Sequence, residues 1–148
     1  MPEVLLDTNA LLLPFREHFP LESELRRVAA GATLRVPETA LAELRRLAEA
    51  NRAGAAAALT WARQFPVVAS PGAGDDSIVA VAVRRGSVVA TADRRLSERL
   101  QAAGVRVLRP RSRSTLVLWP AGPPRGDERP ATVKNRPRLR RSERSGRR

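Results

Sequence analysis

Short apolar runs alternate with amphipathic stretches along the first 108 residues of the chain. The pattern predicts five core strands, at residues 4–6, 34–36, 67–68, 88–91 and 105–108. It predicts helices at residues 21–30, 39–50, 53–64, 75–85 and 95–103. Strands separated by helices are typical of a parallel sheet that is covered on both faces. The sequence therefore predicts an α/β fold, to which residues 115–119 are expected to add an edge strand.

Carboxylates mark the ends of these strands. Asp7 ends the first apolar run, Asp93 lies two residues beyond the run at 88–91, and Glu43 and Asp75 lie on helices that follow strands. In an alternating α/β chain, these junctions meet at one edge of the sheet. Because clustered carboxylates repel each other unless cations neutralise them, the placement predicts a divalent metal site. In a strongly basic chain, such a site makes a nuclease the first hypothesis.

Helical phase indicates how Glu43, Asp75 and the neighbouring Asp76 are placed. Glu43 lies on the shoulder of the apolar stripe of its helix, and Asp76 lies at the edge of the stripe of the next helix. Asp75 lies nearly in line with that second stripe, which consists of Ile78, Val79, Ala82 and Val83.

Each carboxylate also has an ordinary structural explanation. Asp75, Asp76 and Asp93 are positioned to cap helices or to compensate helix dipoles, and Asp7 to form an Asx-turn. Helix capping alone would not require these residues to converge on one crevice, so their joint placement favours a site.

Charge divides the chain into two parts. Residues 1–108 contain 14 Arg/Lys and 12 Asp/Glu, a net charge of +2, whereas residues 109–148 contain 13 and 3, a net charge of +10. The last residues have too few large apolar side chains to offset the entropy of ordering. We therefore expect a domain at residues 1–119 and a flexible basic tail at 120–148, and such tails attract nucleic acid.

Other features of the composition narrow the class of protein. The chain has no cysteine, which excludes disulfides and thiolate metal sites and makes a cytoplasmic location the expectation. No apolar stretch approaches the roughly 18 to 20 residues of a membrane span, and the apolar start lacks the marks of a signal peptide. We therefore expect a soluble protein without a membrane partner.

The ordered set of motifs resembles a PIN-domain ribonuclease. The resemblance rests on Leu5-Leu6-Asp7-Thr8-Asn9, on Val36-Pro37 followed by Glu43-Leu44, on Asp75-Asp76-Ser77-Ile78, and on Ala90-Thr91-Ala92-Asp93. Residues 7–15 and the basic helix after Asp93 are most similar to archaeal relatives of the PIN nuclease that processes small-subunit ribosomal RNA. The resemblance covers residues 3–108.

The resemblance implies a three-layer sandwich with a five-stranded parallel sheet in the order 3-2-1-4-5. It implies that Asp7, Glu43, Asp75 and Asp93 are the catalytic, metal-binding quartet, with Asp76 as a secondary ligand or as a residue that supports the ligands from behind. Thr8, Asn9 and Thr91 match the small polar positions that hydrogen-bond the ligands or a bound water. Glu38 also follows the second strand, so a register error that exchanges Glu38 for Glu43 is left open.

The activity implied by the family is hydrolysis of RNA phosphodiester bonds with one or two Mg²⁺ or Mn²⁺ ions. Ribosomal precursor RNA is the expected substrate, and Arg94, Arg95 and Arg99 are candidates for phosphate contacts. Two alternatives remain open, namely the toxin RNase of a toxin-antitoxin pair, with an antitoxin as protein partner, and a non-catalytic RNA-binding assembly factor. A homodimer is also left open.

Overall fold

The computed structural model describes residues 3–120, which contain six strands and six helices. The strands are β1 (Glu3–Leu6), β2 (Thr33–Pro37), β3 (Val67–Val68), β4 (Val88–Ala90), β5 (Val107–Pro110) and β6 (Leu116–Trp119). The helices are α1 (Thr8–Arg16), α2 (Leu21–Val28), α3 (Glu38–Glu49), α4 (Ala55–Ala62), α5 (Gly74–Arg85) and α6 (Arg94–Ala102). The predicted tail lies outside the described residues, except for Pro120.

The strands form one sheet in the order β3-β2-β1-β4-β5-β6. The first five are parallel, which confirms the expected order 3-2-1-4-5, and β6 pairs antiparallel with β5 as the expected edge strand. Leu5 of β1 pairs with Arg35 of β2 on one side and Val89 of β4 on the other. Because the winding direction reverses between β1 and β4, their carboxyl ends border the crevice where open α/β sheets bind ligands.

Alternate residues of the central strands face two separate cores, as the period of a β-strand requires. Val4 and Leu6 pack in a core with residues of α1, α2, α3 and α4, whereas Leu5 packs with residues of α5 and α6 on the opposite face. Helices therefore cover both faces of the sheet, and the predicted three-layer α/β architecture is confirmed.

Helix α1 was not predicted from the hydrophobic pattern. It begins where the Asp7 side chain caps its N-terminus, and its residues from Ala10 to Leu13 are all buried, so it has no polar face that would reveal the helical period. Pro14 lies inside its last turn, where proline usually indicates an end. A Cβ at Gly54, before α4, would lie 3.0 Å from Phe15 Cβ, so α1 and the start of α4 pack closely.

The stripe predicted for α5 was partly wrong. Val81 is buried, whereas Val83 is 52% exposed, so the apolar face is rotated towards Ile78, Val81 and Ala82. No helix within residues 3–120 is long and apolar enough to cross a membrane.

An ion-pair cluster joins the amino ends of three strands, at the edge opposite the crevice. Glu3 pairs with Arg35 and Arg85, each at 2.8 Å, and also accepts a hydrogen bond from Ser87. The hydrogen bond from Arg85 is the largest cause that lowers the pKa of Glu3 to about 2. The cluster ties β1 to β2 and to the connection between α5 and β4.

The edge strand is fixed by side chains of α2. Glu24 accepts a hydrogen bond from the backbone N–H of Leu116 at 2.8 Å, and Arg27 donates one to the Leu116 carbonyl at 2.9 Å. Arg27 and Glu24 also pair with each other at 2.7 Å. These bonds hold the β5–β6 hairpin against the body of the domain.

Candidate metal-binding active site

A small acidic cleft lies at the carboxyl edge of the sheet, between the ends of β1 and β4. Its volume is about 90 Å³, and all four carboxylates proposed from the sequence line it, namely Asp7, Glu43, Asp75 and Asp93. Each comes from a different part of the chain, and the parallel topology brings them together.

Asp7 is the most buried of the four, with 4% of its surface exposed. One carboxylate oxygen accepts the backbone N–H of Ala10 at 2.7 Å, and the other accepts the Thr91 hydroxyl at 2.5 Å. The pKa of Asp7 is raised to about 7, chiefly by burial and in smaller part by the neighbouring Asp93 and Glu43 carboxylates, against the two hydrogen bonds that lower it. A cation in the cleft would therefore favour the ionised form of Asp7.

Small polar residues orient two more carboxylates. The Thr8 hydroxyl donates to Glu43 Oε1 at 2.8 Å, and the Asn9 amide lies 3.5 Å from Asp93 Oδ2. Asp93 Oδ1 caps α6 by accepting the Leu96 N–H at 3.0 Å. Thr91 links the two strand ends, since its hydroxyl donates to Asp7 and accepts the backbone N–H of Asp93 at 3.0 Å.

Asp75 and Asp76 lie in the first turn of α5, but neither caps it. The N-cap residue is Ala73, and no side chain caps the helix. The Asp75 side chain is 38% exposed and lines the cleft, whereas that of Asp76 is 86% exposed and pairs with Arg99. Arg99 also lies 4.0 Å from Asp75, so it links α6 to the start of α5.

The alternative residue Glu38 lies outside the cleft. It occupies the first turn of α3, and its carboxylate accepts the Ser70 backbone N–H at 3.4 Å. Glu43, one and a half turns further along, lines the cleft instead. Of the two glutamates, Glu43 is therefore the one that lies with the other three carboxylates.

The three arginines proposed for phosphate contacts differ in their surroundings. Arg94 pairs with Glu98 at 3.5 Å and lines a second cleft, Arg95 is exposed, and Arg99 is engaged by the aspartates of α5. Of the three, only Arg94 and Arg95 could bind phosphate without breaking a contact to Asp75 or Asp76.

The donor chemistry of the acidic cleft suits a hard divalent cation. Its ionisable lining groups are all carboxylates, and Asp7 is buried beside two of the others. Within residues 3–120, however, no three His, Asp or Glu side chains already stand close enough to form a metal cage. Mg²⁺ usually binds one or two carboxylates and keeps several of its waters, so a looser arrangement fits that ion.

A comparison with protein families decides the classification. A family model described as "PIN like domain" matches residues 4–113. The chain belongs to this family. Membership confirms the resemblance inferred from the strand-end motifs and places the protein within a class of nuclease domains.

Solved structures share the PIN fold of this chain. The structure of the PIN domain endonuclease Utp24 aligns with a TM-score of 0.67 and 22% identity, covering 79% of this chain and 90% of that one. A domain of a functionally unknown protein from Methanocaldococcus jannaschii aligns with a TM-score of 0.58 and 17% identity, covering 90% and 99%. No curated protein sequence gives a significant match. At these identities the likeness establishes the fold.

Sequence reasoning did not identify the second cleft, which meets the acidic one at Asp93. Arg109 and Arg113 of the β5–β6 hairpin line it. Arginines at alternate positions, 109, 111 and 113, are the sequence signal for this cleft. They do not stand out, because they belong to the generally basic segment from residue 109 onwards.

Proposed function

We propose that this PIN-like domain is a divalent-metal-dependent endoribonuclease. The observation that carries the proposal is the buried Asp7 carboxylate, which shares one cleft with Glu43, Asp75 and Asp93. Burying such a group among other carboxylates costs free energy, and a bound cation would offset that cost. Membership of a family of nuclease domains supports hydrolysis as the reaction.

The residues of the cleft have distinct roles in this proposal. Mg²⁺ or Mn²⁺ bound there would supply a water of lowered pKa and neutralise charge on the phosphoryl group. Asp7 and Asp93 are proposed as direct ligands, with Glu43 and Asp75 contacting the ion directly or through water. Thr8 and Thr91 hold two of these carboxylates in place, as hydrogen-bond partners of metal ligands commonly do.

Asp76 is proposed to act through Arg99 and not as a ligand. Its side chain is 86% exposed, and its carboxylate contacts the guanidinium of Arg99. This pair would keep Arg99 from occupying the cleft and would position the start of α5 beside it.

RNA is the proposed substrate class, and ribosomal precursor RNA the proposed substrate. The resemblance to archaeal relatives of the small-subunit processing nuclease supports the finer assignment, and the basic residues beyond 108 support a polyanionic ligand. A cytoplasmic location is part of the same proposal.

A cleavage assay with matched variants tests the function. The full chain should cleave ribosomal precursor RNA with Mg²⁺ or Mn²⁺ and lose activity in chelator, and Asp7→Asn should lose at least about 100-fold of the rate, the scale of one catalytic group. Glu38→Gln removes a carboxylate that lies outside the cleft, so it should retain activity.

The same assay distinguishes the alternatives. Binding of RNA without cleavage under either metal would replace the proposal with the assembly-factor function. Equal activity of wild type and Asp7→Asn would refute the assignment of the site. Cleavage of total RNA without preference for the precursor would instead favour a toxin.

A further inference from the structure

The second cleft lies beside the acidic one and has the opposite charge character. Its volume is about 260 Å³, and it lies between the end of α1, the start of α6 and the β5–β6 hairpin. Arg94, Arg109 and Arg113 line it, against the carboxylates of Glu17 and Asp93. Asp93 also lines the acidic cleft, so the two clefts share one wall.

We propose that this cleft binds the RNA backbone phosphate next to the scissile one. The inference rests on the proposed function, because it assumes that RNA enters the acidic cleft. Guanidinium groups bind phosphate through two parallel N–H bonds, and three arginines line a space large enough for a phosphodiester group. The three arginines outnumber the two carboxylates that line the same cleft, Glu17 and Asp93, and Arg94 also pairs with Glu98 at its margin.

Two features indicate that the cleft is a built site. The Arg109 guanidinium stacks over the Trp119 ring, 4.6 Å from its centroid, so its position is fixed before any ligand binds. The second feature is Ser97, which lines the cleft, is 1% exposed and has a hydroxyl without a hydrogen-bond partner. Buried hydroxyls are normally paired, and a phosphate oxygen would supply the missing partner.

The β5–β6 hairpin, which carries Arg109 and Arg113, is held in place by contacts at both of its strands. Its first strand, β5, pairs with β4, and its second strand begins at Leu116, whose backbone is bound by Glu24 and Arg27. The arginines at 109 and 113 therefore sit on a fixed arm next to the candidate active site.

Binding without turnover tests the inference. Affinity of the full chain for a short single-stranded oligoribonucleotide is measured by fluorescence anisotropy in chelator over a range of salt concentrations. Arg109→Gln/Arg113→Gln should weaken affinity several-fold and reduce the slope of log affinity against log salt by about 0.7 to 1, the value for one lost phosphate contact.

A charge-matched control separates the cleft from general electrostatics. Arg84→Gln/Arg106→Gln removes the same charge at the opposite edge of the sheet, near the amino ends of β4 and β5, and should leave affinity and slope nearly unchanged. Equal losses in the two double variants, or no loss in the hairpin variant, would overturn the proposal. Inorganic phosphate at millimolar concentration should not displace the oligonucleotide; displacement would identify a free-phosphate site instead.

Ser97→Ala provides an independent readout. Removing an unpaired buried hydroxyl should raise the unfolding temperature, and losing its bond to phosphate should weaken oligonucleotide affinity by about 2- to 5-fold. A more stable variant with unchanged affinity would show that the hydroxyl has no part in binding. Because chelator prevents cleavage, failure of the nuclease proposal would appear only in the activity assay and not in these measurements.

Discussion

Replacing Asp7 with asparagine should make the metal-free protein more stable while abolishing its activity. The Asn side chain has nearly the same shape, so its oxygen can still accept the Ala10 N–H and its amide can donate to the Thr91 hydroxyl. The variant loses the charge and an acceptor for the Thr91 hydroxyl proton. The pH dependence of its stability relative to wild type therefore isolates the free energy of keeping an ionised carboxylate in this cleft.

The magnitude follows from the pKa of Asp7, which rises from 3.8 to about 7 on folding. Since one pKa unit is worth about 1.4 kcal/mol, ionised Asp7 destabilises the folded protein by about 4 kcal/mol at and above neutral pH. The Thr91 hydroxyl proton, which Asp7 accepts in the wild type, has no acceptor at an asparagine amide, and this costs about 1 to 2 kcal/mol. The expected net gain for Asp7→Asn is thus about 2 to 3 kcal/mol.

The pH dependence has a definite sign. Between about pH 4 and pH 7 the folded state binds more protons at Asp7 than the unfolded state does, so this residue lowers the stability of the wild type as pH rises through that range. The stability advantage of Asp7→Asn should grow over the same range and level off above it. Near pH 4, where Asp7 of the folded wild type is protonated, the variant should be the less stable protein by about 1 kcal/mol.

Urea denaturation in chelator, followed by circular dichroism at several pH values, measures these differences. The reasoning is refuted if the asparagine variant is no more stable than wild type at about pH 8, or if its advantage does not shrink on acidification. Asp93→Asn serves as the control, because Asp93 also caps a helix but is only half-buried, and its substitution should change the stability little.

Three further predictions test other parts of the molecule. Glu3→Gln should destabilise the domain by about 1 to 2 kcal/mol at neutral pH, and the difference should fade as pH falls from about 4.5 towards 2, as measured by urea denaturation. Thr8→Val should weaken Mg²⁺ affinity about 10-fold, measured by calorimetry, because Glu43 loses its hydrogen bond while the buried volume is kept. Leu11→Ala should cost about 2 to 5 kcal/mol in thermal or urea unfolding if α1 is the buried helix described; a cost under 1 kcal/mol would contradict that placement.

Strands were easier to locate in the sequence than the first helix. Runs such as Val4–Leu6 and Val88–Ala90 are apolar on both faces because both sides of the sheet are covered, and they stand out as short blocks. The sheet order could be anticipated only through the family resemblance, since pattern alone does not specify which strands pair. Helix α1 was missed because burial on all sides and Pro14 together remove the usual helical signals.

The acidic cleft, like the sheet, could be predicted from the sequence only in part. The position of Asp7 and Asp93 at strand ends follows from the pattern, and the parallel topology then requires that they meet. Their hydrogen-bond partners do not follow from it, since the bond of Thr8 to Glu43 joins residues 35 positions apart and that of Thr91 to Asp7 joins residues 84 apart. Asp93 was expected to cap a helix and Asp7 to form an Asx-turn; in the structure each caps a helix and also lines the cleft, so the ordinary explanation does not exclude a place in the candidate site.

Because Asp7 and Asp93 each cap a helix in addition to lining the cleft, the acidic cleft can form in the folded protein without a bound metal ion. The helix N-termini at Ala10 and Leu96 each donate a backbone N–H to one carboxylate, which partly compensates the negative charge. The compensation is incomplete, as the raised pKa of Asp7 indicates. Mg²⁺ should therefore stabilise the wild type, by about 2.7 kcal/mol at a free concentration 100 times its dissociation constant, and should have no such effect on Asp7→Asn. Equal stabilisation of the two proteins by Mg²⁺ would place the ion elsewhere and leave the buried charge of Asp7 without a function.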